Sequence, residues 1–141
     1  MSQSIYLNLP VRDLNAAVRF YKAIGCRKNP DFSSDDSAAM IWSDTIVFQL
    51  LTHDYFLSFS NKPIASPATN EMLIALSFGE RDAVDQVCDA AVSAGGQTNL
   101  REPQDMGFMY VRTFQDLDGH VFEPMWMDPA GLPASEAQNA G

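Results

Sequence analysis

Hydrophobic and polar positions follow the same order in two separate stretches of the chain. Over 6–26 an alternating segment is followed by apolar residues three and four positions apart and then by a glycine. Over 73–96 the same order returns and again ends in glycine. Each stretch predicts a strand, a turn and a helix, and their similarity indicates that the chain contains one structural unit twice.

The two predicted helices have recognisable ends. Asp13 precedes the first apolar stripe, where its carboxylate can cap free backbone amides, and Gly25 ends that helix. In the second copy Asp82 and Asp85 lie near the positive end of the helix dipole, and Gly95 follows the last apolar position. Both helices are therefore expected to pack an apolar face against a sheet.

Each half closes with a turn and a strand that share a Val-Phe pair. The two segments are DTIVFQLL over 44–51 and DGHVFEPM over 118–125. Between helix and closing strand, each half has room for two more strands, predicted over 27–32, 38–43, 97–100 and 108–114. The sequence thus predicts an α+β fold of two βαβββ modules, with a cupped mixed sheet and the helices on its outer face.

The boundaries follow from where these patterns stop. A single domain is expected over 1–127, with modules over about 4–52 and 72–127. The stretch 53–71 between them is rich in Ser, Pro and Asn, which predicts a linker. The last residues, 128–141, are expected to be loosely held.

Strand alternation sorts side chains between the two faces of the sheet. Tyr6 and Asn8 are expected on the concave face, and superposing the modules puts Gln49 opposite Glu123 there, with Leu73 beside them. A mid-strand carboxylate is costly to bury unless it is paired or bound to a cation. Glu123 is therefore the candidate catalytic residue, and we expect four strands to direct these side chains toward one space.

Further candidates for ligand binding come from the second module. They are Phe108, Tyr110, Arg112 and Met125. A two-residue turn over 116–119 would place Arg112 beside Glu123, whereas a three-residue turn would direct it away. An ion pair with Arg112 is the ordinary structural explanation of the carboxylate.

Composition limits the function classes. The chain has 141 residues, 46% of them hydrophobic, which suits a globular domain rather than a disordered segment. A net charge of −9 argues against nucleic acid or an anionic membrane surface as partner. No apolar run approaches the roughly 20 residues of a membrane-spanning helix. No signal peptide is recognised, so a cytoplasmic protein is expected.

Cysteine usage excludes two further classes. Cys26 and Cys88 are too few for a disulfide framework or a clustered zinc site. Cys88 lies on the apolar side of the second helix, so a buried thiol is expected there. Cys26 follows the glycine that ends the first helix, which leaves room for an exposed thiol.

The opening segment NLPVRDLNAAVRFYKAIG and the closing segment FQDLDGHVFEPMW resemble the vicinal oxygen chelate superfamily. That superfamily includes glyoxalase I, fosfomycin-resistance and bleomycin-resistance proteins, and extradiol dioxygenases. The resemblance covers roughly 4–127 and comes closest to bacterial glyoxalase-like proteins described as predicted lactoylglutathione lyases. It implies a homodimer. It also implies a divalent metal at the centre of the cup, held by His and Glu from the first and fourth strands of each module.

This chain departs from the metal-binding pattern that the resemblance implies. The corresponding positions are Tyr6, Gln49, Leu73 and Glu123. Leu has no ligand atom, Gln adds no charge, and a catalytic metal site generally has about three protein ligands. No cofactor is therefore expected. The alternative is Mg, Mn, Zn, Ni or Fe bound by Glu123 and Gln49.

Three functional hypotheses remain open. One is a metal-independent protein that binds a small organic molecule, as the similarity to bleomycin-resistance proteins implies. Another is a divalent-metal-dependent lyase or dioxygenase that uses Glu123. The third is a metal-free enzyme with Glu123 as general base. The sequence leaves open the identity of the ligand and whether the pocket forms within one chain or across a dimer.

Overall fold

The computed structural model describes residues 3–131, which form ten strands and three α-helices. The helices are α1 (Leu14–Ala23), α2 (His53–Phe59) and α3 (Arg81–Ser93). The strands of the first module are β1 (Ile5–Val11), β2 (Arg27–Asn29), β3 (Ser37–Ser43) and β4 (Ile46–Thr52). Those of the second module are β5 (Leu73–Phe78), β6 (Gln97–Thr98), β7 (Gln104–Asp105), β8 (Met109–Val111), β9 (Phe114–Gln115) and β10 (Val121–Met127).

Both modules have the same sheet topology. The first sheet has the order β1-β4-β3-β2, with β1 and β4 parallel. In the second sheet β5 runs parallel to β10, which pairs antiparallel with β8 and β9. The short strands β7 and β6 lie beyond these two. The predicted α+β fold of two βαβββ modules is confirmed, with β8 and β9 together taking the place of one strand and β6 and β7 together that of another.

The helices end where glycine was expected to end them. The Asp13 side chain accepts a hydrogen bond from the Ala16 amide at 3.1 Å, which caps α1. Gly25 and Gly95 follow the two helices with φ values of 115° and 101°, a conformation that glycine adopts without a steric penalty. Helix α3 begins differently, because Glu80 precedes it without a side-chain capping bond in the described structure.

Two of the strands are shorter than the sequence pattern predicts. β2 ends at Asn29, because the Asn29 side chain accepts from the Asp31 amide and begins the 3₁₀ turn Pro30–Phe32. β6 ends at Thr98, because Asn99 adopts a left-handed φ of 56°. The predicted linker also contains a helix, α2, which the sequence analysis did not anticipate.

One hydrophobic core joins the two modules. The Tyr21 ring on α1 lies 5.6 Å from that of Phe48 on β4 and 6.1 Å from that of Phe122 on β10. The Phe48 and Phe122 rings are themselves 5.6 Å apart. Because β4 and β10 belong to different sheets, the helix-bearing faces of the two sheets meet across this core. Their concave faces are consequently directed away from it.

Both cysteines belong to this core. The expected burial of Cys88 is confirmed, whereas Cys26 is buried rather than exposed. Burial raises the pKa of the Cys26 thiol to about 12, so this thiol is unreactive near neutral pH.

No helix in the described part of the chain is long and apolar enough to cross a membrane. The described part of the chain ends with the 3₁₀ turn Pro129–Gly131. The rest of the tail that the sequence predicts to be loosely held, 132–141, lies outside that part.

Candidate functional site

The concave face of the first sheet holds Tyr6, Asn8 and Gln49. β1 runs beside β4 with Tyr6 paired to Val47 and Asn8 paired to Gln49. Leu9, which alternates with these side chains, is buried in the core, whereas Tyr6 is 59% exposed. The binding role of these three residues stays a prediction.

Part of this face forms an open hollow of about 240 Å³. Tyr6 lines it together with Phe32 and Val47. Gln49 does not line it, and its carboxamide nitrogen instead donates to the carbonyl oxygen of Phe32 at 3.2 Å. The amide of Gln49 therefore fixes the 3₁₀ turn beside the hollow.

The concave face of the second sheet presents Leu73, Glu123 and Met125. β10 pairs Glu123 with Ala75 on β5, and Leu73 is 53% exposed. Phe122, the strand neighbour of Glu123, points into the core instead. Glu123 is thus a carboxylate on a largely apolar sheet face, where an unpaired charge would be costly.

The partner of Glu123 is Arg101, a residue that the sequence analysis missed. Nη2 of Arg101 lies 2.7 Å from Oε2 of Glu123. The side chain of Glu123 is 20% exposed and that of Arg101 is 41% exposed, so the guanidinium is the more accessible member of the pair. This ion pair satisfies the carboxylate, a role for which the sequence suggested Arg112 as one alternative.

Thr113 holds the loop that positions Arg101. Its hydroxyl accepts hydrogen bonds from the amides of Leu100 at 2.8 Å and of Arg101 at 3.4 Å. Its carbonyl oxygen accepts from the Asn99 amide at 2.9 Å. Thr113 lies between β8 and β9, the two strands that pair with β10, and is itself buried. Arg101 therefore reaches Glu123 from a loop anchored to the same sheet.

Arg112 and Tyr110 lie on the helix-bearing face of the second sheet. Nη1 of Arg112 is 2.8 Å from Oδ1 of Asp85 on α3, and the Tyr110 hydroxyl donates to the same oxygen at 2.7 Å. The hydroxyl of Tyr110, followed by the guanidinium of Arg112, lowers the pKa of Asp85. The sequence left open whether Arg112 lies beside Glu123. In the structure Arg112 is directed away from Glu123. Tyr110 and Arg112 therefore lie on the face opposite Glu123, and their role in ligand binding stays a prediction.

Phe108 and His120 lie away from Glu123. Phe108 precedes β8, and its carbonyl oxygen accepts from the Asp128 amide at 2.7 Å. Nε2 of His120 is 2.9 Å from the carbonyl oxygen of Pro10, so this ring joins the two modules. His120 and Asn8 line a hollow of about 250 Å³ beneath the segment between the modules, a hollow that Glu123 does not line.

The two concave faces do not converge within one chain. They belong to sheets whose other faces share the core, and the hollow lined by Tyr6 includes neither Leu73 nor Glu123. The expectation that four strands direct their side chains toward one space therefore fails for a single chain. Each sheet instead carries half of the predicted residue set on an outer surface.

The residues present do not fit a divalent metal. Among the described residues, no group of three or more His, Cys, Asp or Glu side chains is arranged to hold a metal ion. Glu123 is already neutralised by Arg101, the Gln49 nitrogen is engaged with a carbonyl, and Leu73 offers no ligand atom. Hard cations need several oxygen ligands and a local negative charge, which this arrangement does not supply.

Comparison with known proteins places this geometry in a family. The model of the glyoxalase/bleomycin resistance protein/dioxygenase superfamily matches residues 4–123. A hypothetical protein from S. aureus of known structure is 30% identical, with a TM-score of 0.74, over 89% of this chain and 95% of that one. A search of curated proteins finds no significant match.

Two more distant structures share the fold. A glyoxalase/bleomycin resistance protein/dioxygenase family enzyme from Burkholderia phytofirmans is 18% identical, with a TM-score of 0.73, over 89% of this chain and 99% of that one. A fosfomycin resistance protein from Mesorhizobium loti is 16% identical, with a TM-score of 0.65, over 98% of both chains. Together with the family match over most of its length, the two-module architecture shows that this chain belongs to the glyoxalase/bleomycin resistance protein/dioxygenase superfamily.

Proposed function

We propose that this protein binds a small organic molecule against the concave faces of its two sheets, without a tightly bound metal. The observation that supports this most directly is the Arg101–Glu123 ion pair, set among Leu73, Ala75 and Met125 on an open sheet face. Ligand sites commonly combine an apolar surface with a few fixed polar groups. This face has both features.

We further propose that two copies of the chain form a homodimer that closes the site. Tyr6 on one concave face and Leu73 on the other are each more than half exposed. Large exposed apolar side chains on an outer surface are typical of interfaces and ligand grooves. A twofold dimer that places the first sheet of one copy against the second sheet of the other would bring Gln49 and Glu123 to one pocket.

The alternative enzyme function is less well supported. A metal-dependent lyase or dioxygenase needs Glu123 as a ligand, and its carboxylate is engaged by Arg101. Conversion of methylglyoxal with glutathione, the reaction of a lactoylglutathione lyase, is therefore expected to be absent. Protein purified without chelators is expected to hold no stoichiometric divalent metal in elemental analysis. A bound metal that is lost in Glu123→Ala would favour the enzyme.

An NMR screen tests the proposed function. Isotope-labelled protein is titrated with a set of aromatic and aliphatic acids, amides and alcohols while backbone amide shifts are followed. Binders are expected to shift resonances of Tyr6 and Val47 and of Leu73, Ala75 and Met125. Binders that shift only the hollow around His120, or a set without any binder, would contradict the proposal. The cytoplasm is the compartment in which we expect this binding.

A further inference from the structure

Resting on the proposed function, we infer that Arg101 selects ligands that carry a carboxylate or a similar oxyanion on an apolar body. The N–H groups of its guanidinium that Glu123 leaves open would hold the oxyanion. The inference names the class of ligand, which the family relationship leaves undefined.

The geometry of the ion pair leaves donors available. A guanidinium has five N–H donors in a planar fork that suits bidentate contact with a carboxylate. Within residues 3–131, the single hydrogen bond from the Arg101 side chain runs from Nη2 to Glu123. The Arg101 side chain is more accessible than that of Glu123, so a ligand meets the guanidinium before the carboxylate.

Arg101 is also the one arginine of the second module that reaches the concave face. The segment 73–131 contains no lysine and three arginines. Arg112 pairs with Asp85 on the helix-bearing face, and Arg81 pairs with Asp105 and stacks 4.1 Å over the ring of Tyr110 on that same side. Positive charge on the concave side of the described second module therefore comes from Arg101.

The position of the guanidinium is fixed before a ligand arrives. The two amides held by the buried Thr113 hydroxyl set the loop, and Glu123 sets the direction of the side chain. A preorganised cation loses less conformational freedom on binding than a free surface arginine. The apolar surface of Leu73 and Met125 beside it suits the hydrocarbon part of the same ligand.

A matched pair of probes tests the inference. 2-Naphthoate and 2-naphthamide share the apolar body and differ in charge, and their affinities are measured by calorimetry. We expect 2-naphthoate to bind about tenfold more tightly, since a charge-assisted hydrogen-bonded pair replaces a neutral contact. In Arg101→Gln the ratio is expected to fall to about one. Arg12→Gln is the control, because Arg12 pairs with Asp118 away from the concave face, and it should keep the ratio.

A second variant is expected to change the affinity for 2-naphthoate in the opposite direction from Arg101→Gln. Glu123→Gln removes the competing negative charge while keeping the shape and an oxygen acceptor for Arg101, so it is expected to raise the affinity for 2-naphthoate more than that for 2-naphthamide. Equal affinities of the two probes in the wild type, or an unchanged ratio in Arg101→Gln, would overturn the inference and leave the proposed function intact. If neither these probes nor any compound of the NMR screen shifts amide resonances of the concave faces, the proposed function fails as well.

Discussion

The hydroxyl of Tyr21 donates a hydrogen bond of 2.7 Å to Oδ2 of Asp116 inside the core. Tyr21 belongs to α1 of the first module, and Asp116 begins the turn before β10 of the second. The other carboxylate oxygen, Oδ1, accepts from the amides of Asp118 and His120, each at 2.9 Å. This buried carboxylate therefore connects the two modules and fixes the turn that leads to Glu123.

Removing the Tyr21 hydroxyl is expected to destabilise the protein. In Tyr21→Phe the buried Oδ2 of Asp116 loses its donor, which costs about 1–3 kcal/mol. Chemical unfolding monitored by circular dichroism measures the change. Tyr55→Phe is the control at an exposed position, with an expected change near zero. An equal change in the free energy of unfolding for the two substitutions would show that the buried hydrogen bond contributes nothing to stability.

Stability is expected to depend on pH through Asp116. Burial raises the pKa of this carboxyl above its ordinary value of 3.8, against the opposing effects of His120 and Tyr21. A raised pKa in the folded state gives stability that is fully present below the unfolded pKa and is lost as pH rises through the folded value. The free energy of unfolding of wild type, relative to that of Asp116→Asn, should therefore fall as pH rises above about 4.

The measurement is a series of urea unfolding curves for both proteins across this range of pH. Titrating groups that do not interact with Asp116 contribute equally to wild type and variant and cancel in the difference. If the free energy of unfolding of wild type relative to that of Asp116→Asn stays constant or increases with pH, Asp116 ionises in the core without a free-energy penalty, and the prediction is wrong.

Gly96 is a position where packing excludes any side chain. A Cβ there would lie 2.7 Å from the Phe20 ring and would also overlap the Gln115 carbonyl oxygen. Gly96→Ala is expected to destabilise the protein by about 1–3 kcal/mol, as overpacking of a core does. Gly79→Ala is the matched control, since no atom lies within 4 Å of its Cβ position. Similar melting temperatures for the two variants would contradict this description of the core.

Leu73 is expected to belong to the dimer interface. Light scattering should give twice the chain mass of 15.6 kDa for wild type and the single mass for Leu73→Asp. An aspartate there places a charge on an apolar surface that the partner would cover. Val92→Asp, at an exposed position on α3, should remain dimeric. A monomeric wild type would contradict closure of the site by a second copy.

Local sequence patterns were sufficient to predict much of the fold and part of the candidate site. Alternation along β10 placed Glu123 and Met125 on the face opposite Phe122, because neighbouring side chains of a strand point to opposite sides. Arg101 escaped detection, because its position depends on the left-handed Asn99 and on the distant hydroxyl of Thr113. The sequence around Arg101 contains no pattern that predicts the left-handed conformation of Asn99 or the contact with the Thr113 hydroxyl.

The side on which Arg112 lies also depended on a feature that is not local. Its register follows from the turn closed by the Asp116 amide and the His120 carbonyl. How the two modules pack was likewise beyond the sequence pattern. A duplicated unit predicts two similar sheets, but contacts such as Phe48 with Phe122 decide that their helix-bearing faces meet.

Binding by mixed dimers tests the account most directly. Tyr6→Ala alters the first concave face and Arg101→Gln the second, and each variant alone is expected to bind 2-naphthoate about tenfold more weakly than the wild type while remaining dimeric. If each site combines the first sheet of one copy with the second sheet of the other, refolding the two variants together restores binding at about a quarter of the sites, because half of the dimers are mixed and each has one intact site. A mixture that binds no better than its components would place the site within one chain and contradict the account.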